Sequence, residues 1–228
     1  MRSNPQPERG FTLIEILVVV AILGVLMGLV TLLIPKSHTE QAKFVTRTRI
    51  TQLGSAVDRY QQDPALRRLP PMTLDALSKR SKYYEGIAYA QANDANESCE
   101  VLYIALLHPD LSARFDASRL PGESPVGNTD ADVFNKAPPG ANDVDAREIL
   151  DGWGNPIVYI EKNAYEKPVK IVLADGTPIE VVAVKKPDGT WYNPDGYQLI
   201  SLGPNQAQDD PADPSKYDDL CNFTIPGQ

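Results

Sequence analysis

Residues 11–34 read FTLIEILVVVAILGVLMGLVTLLI, an apolar run in which Glu15 is the one charged residue. As an α-helix this run would extend about 36 Å, which is enough to cross the ~30 Å hydrocarbon layer of a bilayer. The rest of the chain is polar, and the whole 228-residue protein has a formal net charge of −8. We therefore expect one membrane-spanning helix over residues 11–34, followed by a single soluble domain.

Basic residues flank the apolar run on its N-terminal side. Arg2 and Arg9 favour a cytoplasmic location for residues 1–10, so the larger C-terminal part is expected to be exported. Residues 35–38 read PKSH and offer no small-residue cleavage site of the secretory type. The apolar segment is therefore expected to remain in the mature protein as a single-pass anchor.

Glu15 needs an explanation, because a carboxylate within lipid costs several kcal/mol. One interpretation is that Glu15 lies shallow enough to stay hydrated. The other is that the chain is cut between Gly10 and Phe11, which creates a new α-amino group on Phe11. Phe11 and Glu15 lie one helical turn apart on the same face, so this amine can pair with its own Glu15 or with that of a neighbouring subunit.

The helical pattern continues beyond the apolar run. Residues 35–62 form an amphipathic continuation in which Lys43, Arg47, Arg49 and Asp58 are interspersed among the apolar positions. That apolar stripe comprises Ala42, Val45, Ile50, Leu53, Ala56, Val57 and Tyr60. One long helix over residues 11–62 is therefore predicted, ending at Asp63-Pro64.

The remaining chain divides into two regions. Residues 63–150 form a variable helical and loop region, with short helices predicted at 73–77 and 99–107 and a long surface loop at 120–142. Residues 151–228 combine turn signals with β-branched runs, which predicts an antiparallel sheet of about four strands and a C-terminal acidic loop. The strands are expected at 157–161, 169–173, 179–184 and 197–201. The fold class is thus α+β, with the long N-terminal helix packed on a C-terminal sheet.

The heptapeptide RGFTLIE at residues 9–15 resembles the class III signal of type IV pilins and type II secretion pseudopilins. The resemblance implies that residues 1–10 are a leader, that a prepilin peptidase cuts after Gly10, and that Phe11 is N-methylated. It also assigns Glu15 to assembly, in a filament whose core is built from the apolar helices. It further implies a type IV pilin-like fold, anchored in the bacterial inner membrane with the C-terminal domain in the periplasm.

A second resemblance lies in the C-terminal region. DGWGNP at 151–156 and YQLISLG at 197–203 look like the C-terminal half of the major pseudopilin (G-type) of type II secretion, with Gly152 in place of that family's proline. The family binds Ca²⁺ in an acidic loop after the sheet. The implied ligands here are Leu202, Pro204, Asn205, Asp210, Asp213 and Asp219. On composition alone, the alternative is a solvated acidic tail.

We therefore expect a structural subunit rather than an enzyme: a pseudopilin that self-associates through its N-terminal helix. Its partners would be prepilin peptidase, other pseudopilins and the inner-membrane secretion platform, and its acidic balance excludes nucleic acid. One alternative is a type IV pilin or minor pilin of a surface fibre. Another is a monomeric membrane-tethered binding protein. Cys99 and Cys221 form either one disulfide or two separate thiols.

Overall fold

The structure, a computed structural model, describes residues 12–91, 94–213 and 216–225, and describes no side chains at 29–37. The chain forms two compact units, residues 1–40 and 41–228. The α-helices are α1 (Leu13–Gln62), α2 (Leu74–Arg80) and α3 (Glu97–Leu106). The strands that follow them along the chain are β1 (Val126–Gly127), β2 (Glu148–Ile149), β3 (Val158–Glu161), β4 (Val169–Val172), β5 (Pro178–Val181), β6 (Tyr197–Ser201) and β7 (Leu220–Cys221).

The long helix α1 ends at Gln62, as the sequence predicts. The apolar stripe of its second half is the buried face: Leu53 and Val57 are fully buried, and Ile50 and Tyr60 nearly so. Arg49, placed among the polar positions of this helix by the sequence pattern, is instead 1% exposed. The α+β class is confirmed, because this helical face packs on an antiparallel sheet in an arrangement consistent with a type IV pilin-like fold.

The sheet differs from the expected four strands. β3, β6 and β7 form an antiparallel three-stranded sheet in the order β3-β6-β7, whereas β4 and β5 pair with each other in a separate two-stranded sheet. The predicted hairpin around Asp175-Gly176 is confirmed, with Val172 opposite Pro178 at its turn end. The third strand, β7, lies in the segment predicted to be the acidic loop. The hairpin contributes apolar side chains to the core instead of extending the sheet.

Both faces of the sheet are covered. Tyr159 of β3 and Leu199 of β6 belong to the core that contains α1, α2 and α3. Ile160 and Ile200 point into a second core with the β4–β5 hairpin. The alternation of side chains along each strand places successive residues in opposite cores, which is why all five residues of β6 are buried.

The middle region contains both predicted helices. The Thr73 side chain accepts a hydrogen bond from the Ala76 amide, which caps α2 as expected, and α3 is buried at eight of its ten positions. The predicted loop at 120–142 is less exposed than expected. It contributes Leu120 and Phe134 to the first core, and β1 within it pairs with β2.

Candidate assembly site and acidic clusters

Glu15 accepts two hydrogen bonds at the start of α1. Its carboxylate lies 2.8 Å from the Thr12 amide nitrogen and 2.7 Å from the Thr12 hydroxyl oxygen, and Thr12 Oγ1 in turn accepts from the Glu15 amide at 3.3 Å. This reciprocal arrangement is a capping box, whose sequence signature is Ser or Thr followed three residues later by Glu or Gln. The side chain is therefore directed towards the N-terminal end of the helix, where cleavage after Gly10 would create the new amine.

Sequence reasoning missed the role of Thr12, although the Thr-x-x-Glu spacing was available as a signal. Gly10 and Phe11, the predicted cleavage and methylation positions, lie outside the described residues. Among the described residues of α1, large apolar side chains are exposed between Leu13 and Met27, and Phe44 is exposed further along the helix.

Within the described residues, no helix contains a stretch that is both long and apolar enough to cross a membrane. The transmembrane segment expected over residues 11–34 stays a prediction.

The loop at residues 151–156 docks against α1 within the folded unit. The Gly152 amide donates to the Thr46 hydroxyl at 2.8 Å, and an added Cβ at Gly152 would lie 2.3 Å from the Ala42 carbonyl oxygen. Proline has no amide hydrogen to donate, and any side chain at this position would collide with helix backbone. The departure from the proline of the G-type pattern therefore has a physical reason in this chain.

Buried polar groups fix the same loop to the helix and to the sheet. The Arg49 guanidinium donates to the Leu150 and Asp151 carbonyls at 2.9 and 3.0 Å, and to the carbonyls of Pro121 and Glu123. The Asp151 carboxylate accepts from the Ser201 hydroxyl at 2.7 Å, which connects the loop to the end of β6. The DGWGNP and SLG motifs thus meet in space.

The C-terminal segment contains an acidic cluster. Carboxylate oxygens of Asp209, Asp218 and Asp219 all lie within 4.8 Å of one another. Burial, together with repulsion from the Asp209 and Asp218 carboxylates, raises the pKa of Asp219 to about 8. Within the described part of the chain, the Oδ1 atoms of Asp218 and Asp219 are buried without a hydrogen-bond partner. Such a set of hard oxygen donors fits a divalent cation such as Ca²⁺.

The predicted ligands distribute unevenly around this cluster. Asp219 is a member, and the turn at Gly203 is close, since an added Cβ there would lie 2.5 Å from Asp218 Oδ1. Leu202 and Pro204 flank that turn, and Asn205 Nδ2 donates to Asp209. Asp210 instead accepts from the Ala212 amide, and Asp213 lies 3.2 Å from the Lys216 ammonium. The cluster takes its other carboxylates from Asp209 and Asp218, which the predicted ligand set omitted.

A second acidic cluster was not anticipated at all. Oxygens of Glu100, Asp130 and Asp132 also lie within 4.8 Å of one another. Glu100 stands in an apolar run that predicts a core helix, and its partners are 30 residues or more further along the chain. The only sequence signal was an acidic residue inside that run.

Cys99 and Cys221 are free thiols in the structure, so the disulfide alternative is not the one adopted. Burial raises the pKa of both thiols to about 12, so each stays protonated at neutral pH.

Residues 6–31 match the family described as "Prokaryotic N-terminal methylation motif". The chain carries a type IV prepilin-like N-terminal motif. The match includes Gly10, Phe11 and Glu15, and it supports a type IV pilin-like precursor that is processed by prepilin peptidase, anchored at a membrane and assembled in the manner of pilins. Comparisons with curated proteins and with solved structures gave no significant match.

Proposed function

We propose that this protein is a pseudopilin: a structural, non-enzymatic subunit of a periplasmic filament in a type II secretion system. Prepilin peptidase would cut between Gly10 and Phe11 and methylate the new terminus. Residues 11–34 would hold the subunit in the bacterial inner membrane and then pack in the filament core. Its partners would be other pseudopilins and the inner-membrane secretion platform.

The observation that carries this proposal is the position of Glu15 within the methylation motif. Its carboxylate accepts from the Thr12 amide, so it is directed towards the end of α1 at which cleavage would create a new terminus. A positive amine on Phe11 would offset the cost of a carboxylate in an apolar environment, either in the same subunit or across a subunit contact. Assembly would then depend on a charge match.

Pseudopilins and type IV pilins share this motif, so the choice between them rests on the C-terminal region. There, the 151–156 loop meets the SLG turn through Asp151 and Ser201, and both motifs resemble those of the G-type pseudopilin. Asp209, Asp218 and Asp219 would hold a Ca²⁺ ion next to that turn. The ion would neutralise the three carboxylates and fasten the loop onto β6 and β7.

The proposal is tested by substituting Glu15 in the full-length protein in cells that assemble it. Glu15→Gln keeps a side chain that can complete the capping box but removes the charge, whereas Glu15→Ala removes both. We expect both variants to be processed after Gly10, as judged by mass spectrometry of the N-terminus. We also expect both to lose filament crosslinks at least tenfold.

Glu40→Gln, at an exposed carboxylate further along the same helix, is the matched control and should assemble normally. Filament formation by Glu15→Gln at the wild-type level would mean that Glu15 acts only as a helix cap, and this would contradict the charge match. Long surface fibres in electron micrographs would favour the pilin alternative. A chain that gives no crosslinked ladder through its apolar helix would favour the tethered binding protein.

A further inference from the structure

The acidic cluster of the middle region is built from separate elements that converge on one point. Glu100 lies in the first turn of α3, and Asp130 and Asp132 lie in the segment after β1. Glu100 is fully buried and Asp132 is 7% exposed. Placing carboxylates of the same charge together out of water is costly unless a cation or several donors compensate for it. This cost calls for a compensating group.

Glu148 of β2 provides an independent observation. Its side chain is fully buried, and Oε1 accepts from the Thr129 amide at 2.7 Å and from the Thr129 hydroxyl at 2.6 Å. Its other oxygen, Oε2, has no hydrogen-bond partner among the described residues. Because Thr129 is next to Asp130, these bonds hold Glu148 beside the cluster, and its charge raises the pKa of Glu100.

Two further buried oxygens near the acidic cluster also lack a hydrogen-bond donor among the described residues. Glu100 Oε2 accepts from the Tyr89 hydroxyl at 2.5 Å, but buried Oε1 meets no donor from the described residues. Asn128 donates through Nδ2 to the Asp132 carbonyl at 2.6 Å, and this leaves its buried Oδ1 likewise without a donor. Nearly all buried polar atoms in proteins are paired, so three unmet oxygens around one acidic cluster point to a missing positive ligand.

The electrostatics agree with the geometry. Burial, with a smaller contribution from the Asp130 and Asp132 carboxylates, raises the pKa of Glu100 to about 10 and that of Glu148 to about 7. Neither glutamate forms an ion pair with Lys, Arg or His within the described ranges. Without a cation, protons would have to neutralise part of this site.

The chemistry of the donors identifies the ligand class. The surrounding atoms are carboxylate and amide oxygens, whereas zinc and other transition metals favour nitrogen and sulfur. Ca²⁺ accepts six to eight oxygens in irregular geometry, whereas Mg²⁺ requires a near-octahedral shell and retains water. We propose that Glu100, Asp130 and Asp132 bind one Ca²⁺ ion between α3 and the segment that follows β1. Glu148 and Asn128 complete its oxygen shell.

Such an ion would fasten the long 120–142 segment to the core helix α3. That segment has little regular structure, yet it contributes Phe134 to the first core and pairs through β1 with β2. This second site shares no residue with the Asp209–Asp219 cluster and does not depend on the proposed secretion function. The protein would therefore hold two calcium ions in independent places.

The test measures bound calcium and thermal stability of the full-length protein in detergent, after chelation and dialysis. We expect Glu100→Gln to bind one Ca²⁺ fewer per chain than the wild type. In millimolar Ca²⁺ its melting temperature should fall by about 5–10 °C relative to the wild type. In EDTA it should melt at the wild-type temperature or above, because removing a buried charge relieves repulsion.

Glu148→Gln serves as the second variant if Glu100→Gln folds poorly, and it should show the same dependence on calcium. Glu97→Gln is the matched control: it is one turn earlier on α3 and retains an oxygen that can accept from the Leu74 amide. It should bind as much calcium as the wild type. The proposal is overturned if the Glu100 and Glu148 variants bind wild-type amounts of calcium. It is also overturned if they are destabilised equally with and without calcium, or if Mg²⁺ stabilises the wild type as well as Ca²⁺ does.

Discussion

The N-terminal segment and the folded unit depend on contacts of very different range. At the start of α1, Glu15 and Thr12 bind each other across three residues. In the unit formed by residues 41–228, the Gly152 amide reaches Thr46 across 106 residues, and the Tyr197 hydroxyl reaches the Gly54 carbonyl across 143. A local contact such as the Thr12–Glu15 capping box can be recognised in a short sequence motif and can be changed without affecting the rest of the fold. A long-range contact exists only once the chain has folded, and its loss affects the whole unit.

The largest effect is expected from Gly152→Pro, which breaks a long-range contact. It removes the hydrogen bond to Thr46, which is worth about 1 kcal/mol, and it forces side-chain atoms against the Ala42 backbone at a cost of about 1–3 kcal/mol. We therefore expect the free energy of unfolding to fall by about 2–4 kcal/mol. Chemical denaturation of the full-length protein, followed by near-ultraviolet circular dichroism, measures this loss.

Gly152→Ala separates the two contributions, because alanine keeps the amide hydrogen and loses stability only through the collision. Gly196→Ala is the control: an added Cβ there meets its nearest atom, the Asn193 carbonyl oxygen, at 4.0 Å and should change little. Wild-type stability in Gly152→Pro would show that the 151–156 loop does not dock on the helix as described.

An intermediate, calcium-dependent effect is expected from Asp219→Asn. This carboxylate is fully buried beside Asp209 and Asp218, so of the three it would contribute most to the binding of a cation. At a calcium concentration about 100 times the dissociation constant, losing the ion would cost about 2.7 kcal/mol. We expect the variant to lose most of the calcium-induced rise in melting temperature and to match the wild type in EDTA.

Asp210→Asn is the matched control, since it makes the same charge change at an exposed position of the same loop. Its carboxylate accepts from the nearby Ala212 amide, so calcium should stabilise this variant as it does the wild type. The reverse result, in which Asp210→Asn abolishes the calcium effect and Asp219→Asn does not, would favour the ligand set implied by the sequence resemblance.

Local patterns predicted the parts of the fold that local contacts determine. The capping residue Thr73 predicted α2, and the turn residues Asp175-Gly176 predicted the β4–β5 hairpin. The apolar stripe that includes Leu53 and Val57 predicted the buried face of α1. The prediction that Arg49 lies on the polar face of α1 was wrong. Its partners, the Leu150 and Asp151 carbonyls, lie 101 and 102 residues away in sequence, so the helical pattern around Arg49 does not indicate them.

The acidic clusters show the same limit. Asp209, Asp218 and Asp219 are close in sequence, so an acidic loop was predicted there, although the pattern did not identify which carboxylates converge. Glu100 meets Asp132 only because α3 packs against the segment after β1, and no spacing rule connects the two residues. Clusters of side chains that come together only through tertiary packing can be identified from a three-dimensional structure but not from the sequence pattern.

The smallest effect on stability is expected from Thr12→Val, which changes only the capping box at the start of α1. The substitution removes the hydroxyl that donates to Glu15 at 2.7 Å but leaves the Thr12 amide bond to the same carboxylate. Loss of such a cap costs about 1 kcal/mol, so hydrogen exchange at the Glu15 and Ile16 amides, which both donate to Thr12, should accelerate about fivefold. Thr12→Ser keeps the hydroxyl and should exchange at the wild-type rate. Because no long-range contact is touched, protection at Leu53 and Val57 should not change; faster exchange there would show that the start of α1 is energetically coupled to the folded unit.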